Sequence, residues 1–209
     1  ENGGVIFPNP NAPTAVEMPL NDIEDIVKNN QDVVVIVDEA YADFGNVTAL
    51  DLIDKYENLL VVRTYSKSRA MAGMRIGYAI GSEKLISALK SVKFSYNSYT
   101  MNMPSIVAGV AAIKDDKYFK EIVSKIITTR ENAKIKLKEL GFDFADSKTN
   151  FIFAKHNIVK AEFIFEELKK RKIYVRYFNK PRINNYLRIT IGTDDEMNQL
   201  YDALKEILG

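Results

Sequence analysis

Asp32-Val33-Val34-Val35-Ile36-Val37-Asp38 is a continuous apolar run bounded by acids, and its reading decides the fold. A strand wetted on one face alternates apolar and polar residues, whereas a strand covered on both faces does not. The run therefore reads as a strand buried on both faces of a parallel sheet. The pattern recurs on either side of it. Upstream, Val5-Ile6-Phe7 is a short apolar strand entering a proline- and asparagine-rich loop at residues 8–15. Pro19 to Asn30 reads as a helix with Leu20, Ile23, Ile26 and Val27 on one face. Downstream, a helix is expected around Ala49 to Tyr56, and further strands at Leu59 to Val62 and Ile76 to Ile80. Ser82 is placed to cap a helix carrying Leu85, Ile86 and Leu89. Strands alternating with helices make this half α/β, with a largely parallel sheet flanked by helices.

The character changes after about residue 100. Met103 to Ile113 looks helical, and from Lys117 a long amphipathic pattern runs through Phe119, Ile122, Ile126, Ala133, Leu137 and Leu140 to Gly141. Then come a strand at Phe151 to Ala154, a helix around Glu162 to Lys170, and strands at Ile173 to Tyr177 and Leu187 to Ile191. Thr193 and Glu196 form a capping-box pattern for a last helix with Met197, Leu200, Tyr201, Leu204 and Ile207 in its apolar stripe. The expected division is 1–115 as part of a large α/β domain, 116–140 as a connecting helix, and 141–209 as a smaller α+β domain.

Bulk properties narrow the chemistry. The 209 residues are 46% hydrophobic and 27% charged, with a net charge of +1, which gives no support to a nucleic-acid or anionic-membrane partner. There is no cysteine and a single histidine, so neither a thiolate nor a multi-histidine metal site is available, and no metal is expected. His156 reads as a solvated loop residue, and Lys169-Lys170-Arg171-Lys172 as a basic helix end that suits the helix dipole. No stretch approaches the ~20 apolar residues of a spanning helix. Glu1-Asn2-Gly3-Gly4 lacks the features of a signal peptide, so a cytoplasmic location is expected. Lacking an initiator methionine and opening almost directly into a strand, the sequence reads as an N-terminally truncated fragment, expected to be inactive by itself.

Ligand-binding groups in α/β sheets gather beyond the carboxyl ends of strands. Asp38 falls there, just past Val37, and so do Thr64-Tyr65-Ser66-Lys67, just past Val62. A lysine held beside other cations, or partly desolvated, has a lowered pKa, and its free amine can then form an imine and shuttle a proton. Arg75, eight residues on between Gly73 and Gly77, offers a guanidinium that matches phosphate bidentately, and Thr64 and Ser66 can donate to the same group. Glycines 73 and 77 are expected to supply tight turns. Asp38 can hold a protonated ring nitrogen, and Tyr41 can hydrogen-bond an adjacent ring oxygen. Each residue has an ordinary alternative: a solvated lysine, a surface arginine, strand-end hydroxyls, a helix-capping acid, a core tyrosine. Together they match pyridoxal phosphate, which needs an amine for its aldehyde, donors for its phosphate and a carboxylate for its ring nitrogen.

These residues also carry a family resemblance. Val37-Asp38-Glu39-Ala40-Tyr41, then Thr64-x-Ser66-Lys67 with Gly73-x-Arg75-x-Gly77-Tyr78, resembles fold-type-I pyridoxal-phosphate enzymes of the aspartate-aminotransferase superfamily. Tyr96-Asn97, Thr149-Asn150-Phe151, Val175-Arg176-Tyr177-Phe178 and Tyr186-Leu187-Arg188-Ile189-Thr190-Ile191-Gly192-Thr193 narrow it to the histidinol-phosphate aminotransferase branch. The resemblance implies that Lys67 holds the cofactor covalently, Asp38 pairs with its ring nitrogen, Tyr41 with its 3′ oxygen, and Thr64, Ser66 and Arg75 with its phosphate. Arg188, helped by Arg176, would take the anionic group of the substrate. The implied reaction is amino exchange between glutamate/2-oxoglutarate and histidinol phosphate/imidazole-acetol phosphate in histidine biosynthesis, by a homodimer. The alternatives are a threonine-phosphate decarboxylase-like lyase and a non-catalytic sensor domain of a regulator. One departure stands out. Where the family loop reads Asn-Asn-Pro-Thr-Gly, this chain has Asn9-Pro10-Asn11-Ala12-Pro13-Thr14-Ala15. Ala12 replaces the cofactor-contacting asparagine, Ala15 replaces the glycine, and Asn11 is the candidate substitute contact. The family's first strands, phosphate-cradling helix start and ring-stacking aromatic would lie upstream.

Overall fold

A computed structural model describes residues 3–209. The chain forms two compact units, the first running up to Asn11 and over Glu17–Glu121, the second comprising Ala12–Val16 and Ile122–Gly209.

In the first unit β1 (Val5–Pro8), β2 (Val35–Asp38) and β3 (Leu59–Thr64) are parallel neighbours, and β4 (Gly77–Gly81) pairs antiparallel with β3. Register puts Pro8 beside Asp38 and Asp38 beside Val62, so the carboxyl ends of the three parallel strands align. Helix α1 (Leu20–Lys28) lays Ile23 and Val27 on Val35, Val37, Leu59 and Val61, and Ala49 and Leu52 complete this core. Helices α2 (Glu83–Tyr96) and α3 (Met103–Lys114) follow, capped by the side chains of Ser82 and Asn102. Leu59, Leu60 and Val61 of β3 are buried, but the burial on both faces expected for β2 is not found. Val35 and Val37 are fully buried, whereas Ile36 is half-exposed, and its neighbour Ile6 is 71% exposed on the same face.

Helix α4 (Asp116–Glu139) matches the long amphipathic pattern, and Gly141 follows it in a left-handed conformation (φ 79°). In the second unit β5 (Phe142–Phe144), β6 (Phe151–His156), β7 (Arg176–Tyr177) and β8 (Leu187–Thr190) form an antiparallel sheet in the order β5-β6-β8-β7. Ile152, Ala154, Leu187 and Ile189 share one face and a core with Ile164 and Leu168 of α5 (Ala161–Lys170) and Leu200 and Leu204 of α6 (Asp194–Leu208). The reciprocal Thr193–Glu196 capping box is formed.

Three readings need correction. Ala49 to Tyr56 is not an α-helix: only Ala49–Leu52 is helical, as a 3-10 turn. The Glu39 carboxylate takes the Ala49 N–H at 2.5 Å and the Thr48 hydroxyl takes the Leu50 N–H at 3.1 Å, which caps a short turn here. The strand expected from Ile173 contracts to Arg176–Tyr177, because the Ile173 N–H is still bound to the Leu168 carbonyl at the end of α5. His156 is buried rather than solvated. Its Nδ1 accepts from the N–H groups of Ile158 (3.2 Å) and Val159 (2.9 Å), and its ring sits edge-on to Phe142.

Lys134, on α4, is a buried cation bound to Glu131 (2.9 Å) and Asp146 (2.6 Å). Burial tends to raise the Glu131 carboxyl, but hydrogen bonds from Lys134 and Arg130 outweigh it and hold it below the ordinary range. The Lys134 hydrogen bond does the same to Asp146. A carboxyl depressed in the folded state stabilises above its unfolded pKa, and that contribution disappears as pH falls through the folded value. The stability difference between wild type and Lys134→Met, measured by urea unfolding, should therefore shift toward the variant as pH drops from 6 to below about 3. A difference independent of pH would refute this linkage.

Candidate active site

The chain builds a cluster of reactive groups where β1, β2 and β3 end. Asp38 is the last residue of β2, half-buried, and its Oδ1 accepts the Ala40 N–H at 3.0 Å, closing the turn that follows. Oδ2 has no hydrogen bond among the described residues, so one oxygen is fixed and the other is presented. Tyr41 precedes the 3-10 turn Ala42–Phe44. Thr64 ends β3, and its Oγ1 donates to the Ile76 carbonyl (3.2 Å), accepts the Ser66 N–H (3.0 Å) and meets the Ser66 hydroxyl at 2.9 Å. Lys67 follows in a turn closed by Ala70 N–H to Lys67 O and Met71 N–H to Tyr65 O, both 3.0 Å. Its exposed ammonium has no hydrogen bond or ion pair among the described residues and lies 5.4 Å from the centre of the Tyr41 ring. Asn11 is half-buried in the loop after β1.

Arg75 is exposed, with Nη1 donating to the Ala72 carbonyl at 2.9 Å. Its own backbone is left-handed (φ 55°), as is that of Ala70 (φ 53°). The glycines expected to carry the turns do not. Gly73 has open space around it, and Gly77 serves close approach instead, since a Cβ there would lie 3.3 Å from the Arg63 carbonyl. Non-glycine residues at positive φ cost about 1–3 kcal/mol each and persist where surroundings over-determine them. Here Ser105 supplies part of that support by donating to the Met74 carbonyl at 2.9 Å. In the loop, Ala15 keeps a left-handed backbone (φ 66°) in a fully buried position. That conformation suits the glycine of the family motif, and the chain retains it with alanine.

Two supports lie within the quoted motifs but have no role in the sequence reading. Asn9, 1% exposed, clamps the loop by accepting the Met18 N–H (2.7 Å) and donating to the Met18 carbonyl (3.3 Å). Glu39 is buried beside Asp38 and binds Arg63 through Nε (2.9 Å) and Nη2 (2.7 Å) as well as the Thr48 hydroxyl. Burial works against the Arg63 charge, but the hydrogen bonds and charge of Glu39 more than compensate and raise its pKa. The side chains of Glu39 and Arg63 thus lock the ends of β2 and β3 together.

Arg176 and Arg188 belong to the second unit, where they are directly opposite one another on β7 and β8. Like charges in that position repel. The Arg188 guanidinium is flanked by the rings of Phe151 (5.1 Å) and Phe178 (5.8 Å), that of Arg176 by Phe178 (5.4 Å), and Arg188 Nε is buried without a hydrogen-bond partner. A paired, partly desolvated dication with an unused donor is suited to an anion. Among the described residues no cluster of acids and histidine is arranged to hold a metal ion, and no helix is long and apolar enough to cross a membrane.

A mixed sheet flanked by helices, with a lysine, a half-open carboxylate and two hydroxyls at its strand ends, is the architecture of the fold-type-I aminotransferases. The chain belongs to the aminotransferase class I and II family, whose sequence model matches residues 1–204. It is 53% identical over 208 residues to the histidinol-phosphate aminotransferase of Brachyspira hyodysenteriae, covering 99% of this chain and 59% of that protein. Its identity to the Clostridium acetobutylicum histidinol-phosphate aminotransferase is 54% over 207 residues, with the same coverage of both chains. The chain thus spans about three-fifths of the length of these relatives. The crystal structure of the Sinorhizobium meliloti histidinol-phosphate aminotransferase in complex with pyridoxal-5'-phosphate superposes with a TM-score of 0.88 at 25% identity, over 99% of this chain and 57% of that one.

Proposed function

We propose that the chain serves a pyridoxal-phosphate-dependent aminotransferase that exchanges an amino group between glutamate/2-oxoglutarate and histidinol phosphate/imidazole-acetol phosphate. The observation that carries this reading is the Lys67 ammonium, free of hydrogen bonds and ion pairs among the described residues and 5.4 Å from the centre of the Tyr41 ring, just past the end of β3. Its local sequence lies inside the 53%-identical match. The cofactor, when bound, supplies a carbonyl for amine exchange and a ring that withdraws electrons from the substrate α-carbon. Lys67 is the covalent attachment point and the base that moves the α-proton. Asp38 keeps the ring nitrogen protonated with its open Oδ2 while Oδ1 stays on Ala40. Tyr41 donates to the 3′ oxygen, with Asn11 as the loop contact, and Thr64, Ser66 and Arg75 hold the phosphate. The enzyme acts in the cytoplasm as a homodimer, in the biosynthesis of histidine. Product analysis of the complete gene product with histidinol phosphate and 2-oxoglutarate tests the reaction. Glutamate and imidazole-acetol phosphate are the expected products; release of carbon dioxide, or no exchange, would overturn the assignment.

Substrate choice rests on Arg188 and Arg176. Histidinol phosphate has no α-carboxylate, whereas glutamate carries one, and a single arginine fork can donate to two oxygens of either a carboxylate or a phosphate. Arg188 is assigned to both substrates and Arg176 to the additional charge of the phosphate. Arg188→Ala should impair both half-reactions, and Arg176→Ala should weaken histidinol phosphate more than glutamate. Each lost charge-assisted pair is worth about 1.5–3 kcal/mol. Unchanged single-turnover kinetics for both substrates would return these arginines to surface roles.

A further inference from the structure

We propose that Ser68 and Asp43 form a positioning pair that fixes where the Lys67 amine lies relative to Tyr41. This inference deepens the proposed function and rests on it. Lys67 and Tyr41 come from segments after different strands, and neither side chain has a hydrogen bond to the other. The link is made one and two residues away. Ser68, only 4% exposed, donates its hydroxyl to Asp43 Oδ2, 25 positions earlier in the chain. Asp43 sits in the 3-10 turn Ala42–Phe44 that starts immediately after Tyr41. Ser68 follows Lys67 inside the turn closed by the Lys67–Ala70 hydrogen bond. The bond therefore joins the backbone that carries the amine to the backbone that carries the phenol.

The pair is anchored behind the site. Asp43 Oδ1 lies 3.6 Å from Arg63 Nη1, and Arg63 is held in turn by Glu39 and by the Thr48 hydroxyl at 2.9 Å. Glu39 and Arg63 directly adjoin Asp38 and Thr64 in sequence. Each assigned group in the two turns thus has, within two residues of it, a member of one polar chain that is buried at Glu39 and Ser68 and half-buried at Arg63 and Asp43. On the far side, Arg69 donates to the Ala112 carbonyl at 2.6 Å and packs between the rings of Tyr65 (5.3 Å) and Phe119 (4.1 Å). Clamped on one side by Arg69, the Lys67 turn depends on Ser68 for its placement toward Tyr41. A lysine side chain has four rotatable bonds and is exposed here, so its reach is set by where its backbone is held. Misplacement of a reacting group by about 1 Å can cost on the order of 10²-fold in rate.

The test uses the complete gene product and the variants Ser68→Ala, Asp43→Ala and the double substitution. Ser68→Ala should lower kcat by about 10- to 100-fold with the KM for glutamate unchanged, because the substrate arginines are untouched. The double variant should lose no more than the worse single one, as coupled partners do. An independent readout uses cofactor-free protein: acetylation of Lys67 by a limiting reagent, followed by peptide mass spectrometry against the other lysines. Its relative rate should change severalfold in Ser68→Ala and again equally in the double variant. A purely structural serine would alter unfolding but leave kcat per folded molecule and Lys67 labelling as in wild type, and that result overturns the proposal. Additive losses in the double variant would overturn it as well. Wild-type protein that neither attaches the cofactor nor transaminates would instead sink the proposed function itself.

Discussion

Lys67→Ala in the complete gene product is expected to lower transamination by at least about 10⁴-fold while leaving weak, non-covalent cofactor binding. The side chain is assigned two duties, covalent attachment and movement of the α-proton, and a positioned acid–base group alone contributes about 10²–10⁴-fold. Thr64, Ser66 and Arg75, proposed to hold the phosphate, and the carboxylate of Asp38 remain, so binding is expected to persist. The substitution should fold normally, since the Lys67 side chain is exposed and makes no hydrogen bond or ion pair among the described residues. Turnover and cofactor absorption, measured on the same preparation, check both halves. Loss of binding together with activity would mean that Lys67 is needed for the shape of the site, and wild-type turnover would remove it from the chemistry.

The second large effect belongs to Asp38. Asp38→Asn preserves the Oδ1 acceptor for the Ala40 N–H, so the turn stays closed, but it removes the charge that the open oxygen presents. A hydrogen bond to a charged group is worth about 1.5–3 kcal/mol, and each ~1.4 kcal/mol lost in the transition state costs tenfold in rate. A fall in kcat on the order of 100-fold, with cofactor affinity reduced far less, is the expected outcome of steady-state kinetics. Near-normal turnover would sink the role of Asp38 in keeping the ring electron-withdrawing.

The positions of the candidate residues were legible because strand ends are predictable places, while their roles stay proposals. The apolar runs ending at Val37 and Val62 locate two parallel strands, and strand ends in such sheets are where Asp38 and Lys67 were sought. What those runs do not record is direction or the covering of each face. β4 turned out antiparallel, and Ile36 half-exposed, because an apolar segment reads alike in either orientation and on either edge. β5, three residues long, carried too little pattern to be seen at all. Residue type points to Gly73 and Gly77 for the tight turns, whereas the left-handed backbone falls at Ala70 and Arg75, since tertiary contacts override local preference at this site. The network of Glu39, Arg63, Asp43 and Ser68 was invisible for a different reason. Its members are common polar residues spread over 30 positions, and only folding brings them into one chain of hydrogen bonds and ion pairs.

The central claim, that Lys67 is the cofactor's attachment point, is tested most directly by borohydride reduction of the wild-type gene product with pyridoxal phosphate, followed by peptide mapping. The account predicts a single stoichiometric adduct on the peptide that carries Lys67, formed with loss of the visible absorption band. An adduct on another lysine, or none at all in a folded protein, would contradict it.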